Sequence, residues 1–265
     1  SGGVCFDSAG NLFFLDGPRN QRLHRVAPGE TRSTILCELP VSPHNVYLYG
    51  ADLLSPAPGR LWMIGSDGSL HVLMVGADSA DVMQTLKAVG GGHTFNSALS
   101  HDGRWAAVTS GDGDPRNALA LLQVEPPSVC SATGADSGLF EYITGLAFVE
   151  APEPFLAVAF NGFTRGATSH VARVDFDAAT GKFPPGPGTR LSLLEAPGRL
   201  NGMTFDRATG RVLLGWQQPG QATAVYAIPA AGLARGNVKP EAWTRVLAAP
   251  EGARSIAVAP PASRP

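Results

Sequence analysis

The sequence predicts an all-β protein, a propeller of four-stranded blades, and three observations carry that prediction. Apolar or alternating runs of about five residues, the usual strand length, recur along the whole chain with turn residues between them. The 265 residues include 32 Gly and 22 Pro, which punctuate any long helical pattern. The runs fall into sets of four, and self-similarity at a period of 40 to 57 residues is the signature of a blade that buries its faces only against its neighbours.

Taken in order, the sets are VCFD, NLFFL, LHRV and TILCEL; NVYLY, RLWMI, LHVLMV and MQTLKAV; NSALS, WAAVTS, ALALLQV and LFEYI; GLAFV, FLAVAF, HVARVDF and RLSLLE; and GMTFD, RVLLGW, AVYAI and WTRVLAA. A last run, SIAVAP, stands alone. The first two strands of a set are joined by acidic-then-Gly turns: DSAGN at Asp7 to Asn11, HDGR at His101 to Arg104 and DRATGR at Asp206 to Arg211. An Asp bonds the following backbone there and a Gly supplies positive φ. A short helical turn near Ala77 to Val82 is the one exception to the β pattern. Residues 1–265 are read as one domain. Six-bladed geometry is favoured, with five complete blades and one inner strand visible before Pro265.

Composition excludes several function classes. Twenty basic against 22 acidic residues give a formal charge of −2, too little positive field for a polyphosphate backbone. No nucleic-acid or membrane partner is therefore expected, and no window approaches a membrane-spanning run of 18 apolar residues. The expected state is soluble, cytoplasmic or secreted after removal of a signal peptide. Cys5, Cys37 and Cys130 form no CxxC or zinc-spaced cluster, and free thiols are expected.

The segments GGVCFDSAGNLFFLD…QRLHRV, FNSALSHDGRW and LNGMTFDRATGRVLLGW resemble, in order, blades of the senescence-marker-protein (regucalcin), gluconolactonase and diisopropylfluorophosphatase family. The resemblance implies a six-bladed propeller whose central mouth holds a divalent cation, commonly calcium, that polarises a lactone or phosphoester for hydrolysis. It implies a Glu before the first inner strand, amides before middle ones and an Asp before a later one. Gly2, Asn96, Thr144 and Asn201 stand at those positions, so the expected lining carries no carboxylate, and a dication held by neutral groups has little to offset its dehydration.

The expectation is a small-molecule-acting enzyme, metal-independent and without cofactor, whose oxygen-rich substrate sits in the central funnel for isomerisation, cyclisation or lactone chemistry in a specialised biosynthetic pathway. Loops leading into the inner strands supply His44, His93 and Arg254 as catalytic candidates, because an imidazole exchanges protons near neutral pH and a guanidinium binds an oxyanion. Asn45, Asn96, Thr144, Arg199 and Asn201 are the substrate-binding candidates, with Trp216 as an aromatic anchor at the rim. The bland reading of the amides is loop capping, and that of the arginines is ion pairing with Asp16 or Asp112. His24, His71, Trp62 and Trp105 read as structural, and His101 as a turn residue on the opposite face. One alternative is a calcium-dependent lactonase or esterase with a cation site rebuilt from Asp16, Asp112 or Asp114. The other is a non-catalytic propeller that binds a ligand or protein.

Overall fold

The computed structural model describes residues 3–17, 21–39, 50–65, 69–87, 96–110, 118–132, 142–150, 153–161, 168–184, 190–236, 238–249 and 256–260. Among them are five four-stranded antiparallel sheets, each a meander in sequence order. Blade 1 is β1 (Val4–Phe6), β2 (Leu12–Asp16), β3 (Arg22–Val26) and β4 (Thr34–Glu38). Blade 2 is β5 (Gly50–Ala57), β6 (Arg60–Gly65), β7 (Ser69–Val75) and β8 (Ala80–Lys87). Blade 3 is β9 (Ser97–Leu99), β10 (Trp105–Ser110), β11 (Ala118–Gln123) and β12 (Ser128–Ala132). Blade 4 is β13 (Tyr142–Val149), β14 (Phe155–Asn161), β15 (Ser169–Val174) and β16 (Arg190–Ala196). Blade 5 is β17 (Arg199–Asp206), β18 (Arg211–Gln217), β19 (Ala224–Pro229) and β20 (Thr244–Ala248), with a one-turn helix α1 (Ala230–Ala234) between its last two strands.

The period-2 alternation of each strand sends successive side chains to opposite faces, and each face meets a different neighbour. In β6, Leu61 and Met63 join the core shared with blade 1, whereas Trp62 and Ile64 join the core shared with blade 3. Trp105, Ala107, Leu119 and Leu121 pack on Leu146, Leu156 and Val158 of blade 4. Blade 4 in turn packs Phe155, Ala157 and Val171 on Leu200, Val212 and Leu214 of blade 5. Four cores therefore join five consecutive blades, and the described residues form no fifth core between blades 5 and 1. The inner strands β1, β5, β9, β13 and β17 line one central cavity, together with Ile256, Ala257 and Val258. This is a β-propeller. The six-bladed count is corrected to five blades among the described residues, because Ile256–Pro260 forms no strand.

The acidic-then-Gly turns form as expected. Asp7 accepts from the Ala9 and Asn11 backbone amides at 3.0 and 2.8 Å. Asp102 accepts from the Arg104 amide at 3.0 Å, while Gly103 takes φ +68°. Asp206 accepts from the Ala208 amide and the Thr209 hydroxyl at 3.0 and 2.6 Å. The three cysteines are free, and Trp62, Trp105, His24 and His71 are all buried.

Three expectations are corrected. The inner strand of blade 2 is Gly50–Ala57, not NVYLY, which lies outside the described residues. The fourth strand of blade 3 is Ser128–Ala132, and the last residues of LFEYI open β13. An outer edge strand such as SVCSA exposes both faces and so lacks an apolar run; Val129 is 48% exposed. The turn near Ala77 is a bend leading into β8 rather than a helix. No helix is long and apolar enough to cross a membrane among the described residues.

Blades 1 and 2 approach so closely that a Cβ at Gly3 would overlap Asp52 Cα and the Leu53 nitrogen. Overpacking against backbone costs about 1–3 kcal/mol. Gly3→Ala is expected to lower the unfolding free energy by that amount, read as a lower urea midpoint at an unchanged m-value. A midpoint equal to wild type would show that the two strands are free to separate.

Candidate functional site

The cavity has a volume of about 350 Å³. Its strand-start end is formed by Asp52, Asn96 and Ser97, with the backbone of Gly145 and Gly202. Asp52 enters this end near the start of β5 and reaches across to β9. Its Oδ2 accepts from the Ser97 hydroxyl at 2.6 Å and from the Ser97 amide at 2.8 Å. Its Oδ1 accepts from the Leu53 amide at 2.9 Å. The lining expected to lack a carboxylate therefore has one at this end, and Glu150 at the other.

The residue keeps some exposed surface, but its carboxyl group is enclosed by the two blades. Burial pushes the group up to about 6, against an ordinary value of 3.8, and the hydrogen bonds from Ser97 and Leu53 hold it back from rising further. The native state thus binds this proton more tightly than the unfolded chain does. The stabilisation is fully present below pH 3.8, and it is lost as pH rises through about 6. A shift of that size is worth at most about 3 kcal/mol.

The substrate-binding candidates separate. Asn96 lines the cavity, and its Nδ2 donates to the Ile143 carbonyl at 2.9 Å, tying blade 3 to blade 4. Thr144 sits at a bulge between Ile143 and Gly145, its hydroxyl 3.5 Å from the Ala159 carbonyl. Asn201 pairs with Gly215 beside the matching bulge in β17, whose extra residue is Gly202; it is half-buried and without a hydrogen bond from its amide among the described residues. Arg199 is exposed at the start of the same strand, opposite Gln217. None of these last three lines the cavity. His44, Asn45, His93 and Arg254 lie outside the described residues.

Trp216 is corrected from rim anchor to core. It is 5% exposed, its Nε1 donates to the Pro197 carbonyl at 2.8 Å, and its ring meets Trp243 edge-on at 4.6 Å. The interior demands an aromatic here because Trp216 closes the blade 4–blade 5 core. Asn161 is likewise used between blades, its Oδ1 taking the Leu200 amide at 3.0 Å and the Ser169 hydroxyl at 2.6 Å.

Sequence reasoning missed Asp52 and Ser97. A usable signal existed in the Gly-Arg pairs Gly59-Arg60, Gly103-Arg104 and Gly210-Arg211, each of which precedes or opens a second strand. Counting back from the first pair places the inner strand of blade 2 at residues 50–57.

A hard dication takes six to eight oxygen ligands. The described lining offers the Asp52 carboxylate, whose oxygens already accept three hydrogen bonds, the Asn96 Oδ1, and at the other end Glu150, which is paired with Arg207. That donor set does not fit the cation implied by the family resemblance. Asp16 does not supply it either, since it pairs with Arg22 at 2.6 Å, and Asp112 and Asp114 lie outside the described residues.

No protein-family model matches the chain, and no curated protein matches it. Among solved structures it is similar to the dihydro-heme d1 dehydrogenase NirN, determined in complex with DHE, at a TM-score of 0.50 and 15% identity over 92% of this chain. The chain spans 44% of the NirN chain. It is also similar to a chain of the mitotic checkpoint complex, at a TM-score of 0.56 and 10% identity, covering 97% of this chain and 80% of that one. At these identities the likeness is one of fold, and the fold is a β-propeller.

Proposed function

We propose that the chain is an enzyme acting on a small, oxygen-rich organic molecule held in the central cavity, with the Asp52 carboxyl as the group that exchanges a proton with it. The observation that supports this reading is a channel carboxyl whose burial pushes it to about 6. General acid–base transfer is most efficient when the group titrates near the working pH, where both its forms are available. Ser97 acts as the positioning residue, because its hydroxyl and amide hold one carboxyl oxygen and leave the group facing the cavity.

Isomerisation, cyclisation and lactone chemistry all move a proton at a centre beside a carbonyl or hydroxyl, so one such group serves each of them. His44, His93 and Arg254 are proposed as further catalytic groups, with Asn45 and Asn96 towards the substrate. No cofactor is proposed, and the partner is a small molecule.

The test is a thermal-shift screen against lactones, hydroxy acids and cyclic ketones, followed by turnover of the hits from pH 4 to 9. A pH–rate inflection near 6 is expected. In Ser97→Ala, which removes a bond that lowers the Asp52 value, the inflection moves to higher pH. Ligands that bind without turnover at any pH would replace the enzyme reading with that of a binding module.

A further inference from the structure

The other end of the same cavity is chemically different. The turns that follow β9, β13 and β17 bring His101, Glu150 and Arg207 together from three successive blades. Strand residues rise about 3.3 Å each, so the four residues from Ser97 to His101 set this cluster roughly 13 Å from Asp52. Arg207 donates from Nε to Glu150 Oε2 at 3.0 Å. Its Nη1 approaches both ring nitrogens of His101, Nδ1 at 2.8 Å. Glu150 Oε1 lies 3.5 Å from His101 Nδ1. Asp102, the adjacent acid, is turned back onto the Ser100 hydroxyl and the Arg104 amide and takes no part.

A guanidinium presents five N–H donors in a planar fork. Nε and Nη1 of Arg207 are committed, and Nη2 has no partner among the described residues while the side chain stays 60% exposed at the cavity mouth. We infer that Arg207, flanked by His101, is an anion-binding site at the turn end of the channel, taking a carboxylate or phosphate group through Nη2 and the outer edge of Nη1. Glu150 orients the fork through Nε and, as a neighbouring negative charge, keeps the affinity modest. The imidazole beside it reports the bound anion, because a charge within a few ångströms changes the field at the ring. This site stands independently of proton transfer at Asp52, since it requires only the geometry at the turn end.

The experiment is an NMR titration of the His101 ring signals in the full chain with inorganic phosphate, and separately with acetate, at constant ionic strength held by chloride. A saturable shift of the His101 ring signals is expected in wild type. Saturation by phosphate, by acetate or by both identifies the anion class. In Arg207→Gln the saturable shift is lost, and in Glu150→Gln the affinity rises about fivefold as the competing charge is removed. Absence of saturation by either anion in wild type, an unchanged response in Arg207→Gln, or an unchanged affinity in Glu150→Gln would overturn the assignment and leave the cluster as an ion-paired staple between turns.

Discussion

Replacing Asp52 by alanine is expected to lower turnover of a channel substrate by about 10²–10⁴-fold, the usual contribution of a positioned general acid or base. The pH–rate inflection near 6 should vanish with it, since this carboxyl supplies it in the proposed mechanism. The same substitution has a second readout that requires no substrate. Wild-type stability contains a term that declines as pH rises from 3.8 through about 6, and the variant lacks that term. Urea denaturation at pH 4 and pH 7 should therefore give a difference between the two pH values that is smaller or of opposite sign in Asp52→Ala. Three donors lose their acceptor in the variant, which lowers its stability at both pH values. Turnover at the wild-type rate would show that Asp52 merely ties β5 to β9.

Trp216→Ala should act in the opposite sense, on folding and not on the ligand. A fully packed indole removed from a core costs about 3–5 kcal/mol, and the loss here includes the edge-on contacts with Trp243 and Tyr226 and the bond to Pro197. Chemical denaturation should show a midpoint lowered accordingly, with blade 5 loosened from blade 4. Channel ligand affinity, measured below the unfolding transition, should stay within about twofold of wild type, because the indole is not part of the cavity wall. An affinity loss with unaltered stability would return Trp216 to the rim and contradict its place in the core.

The blades were legible where local chemistry and burial agree. In blades 4 and 5 the apolar runs FLAVAF and RVLLGW correspond directly to β14 and β18. Blade 2 misled because GADLLSPA contains Asp52 and Pro56, residue types that strands disfavour, whereas the preceding NVYLY has strong β propensity. The interblade contacts decide the matter: Leu53 and Leu54 enter the cores on either side. That shift of several residues removed the carboxylate of the strand-start end from view, and with it the chemistry of that end.

The amide ring was legible as a pattern and not as a role. Asn96 does reach the channel, yet its amide is spent on the Ile143 carbonyl of the next blade. A single sequence carries no sign of such a bond, because the acceptor is backbone 47 residues away. His101 was placed correctly in its turn on the opposite face. Its convergence with Glu150 and Arg207 depends on three blades standing side by side, which is a property of the ring and not of any local motif.

The measurement closest to the central claim is the titration of the Asp52 carboxyl itself, followed by ¹³C NMR in protein labelled at aspartate and assigned with Asp52→Asn. The account predicts a midpoint near 6 that moves higher in Ser97→Ala. A midpoint at the ordinary carboxylate value, unmoved by Ser97→Ala, would contradict it, because neither the enclosure between the two blades nor the Ser97 bond would then govern the Asp52 carboxyl.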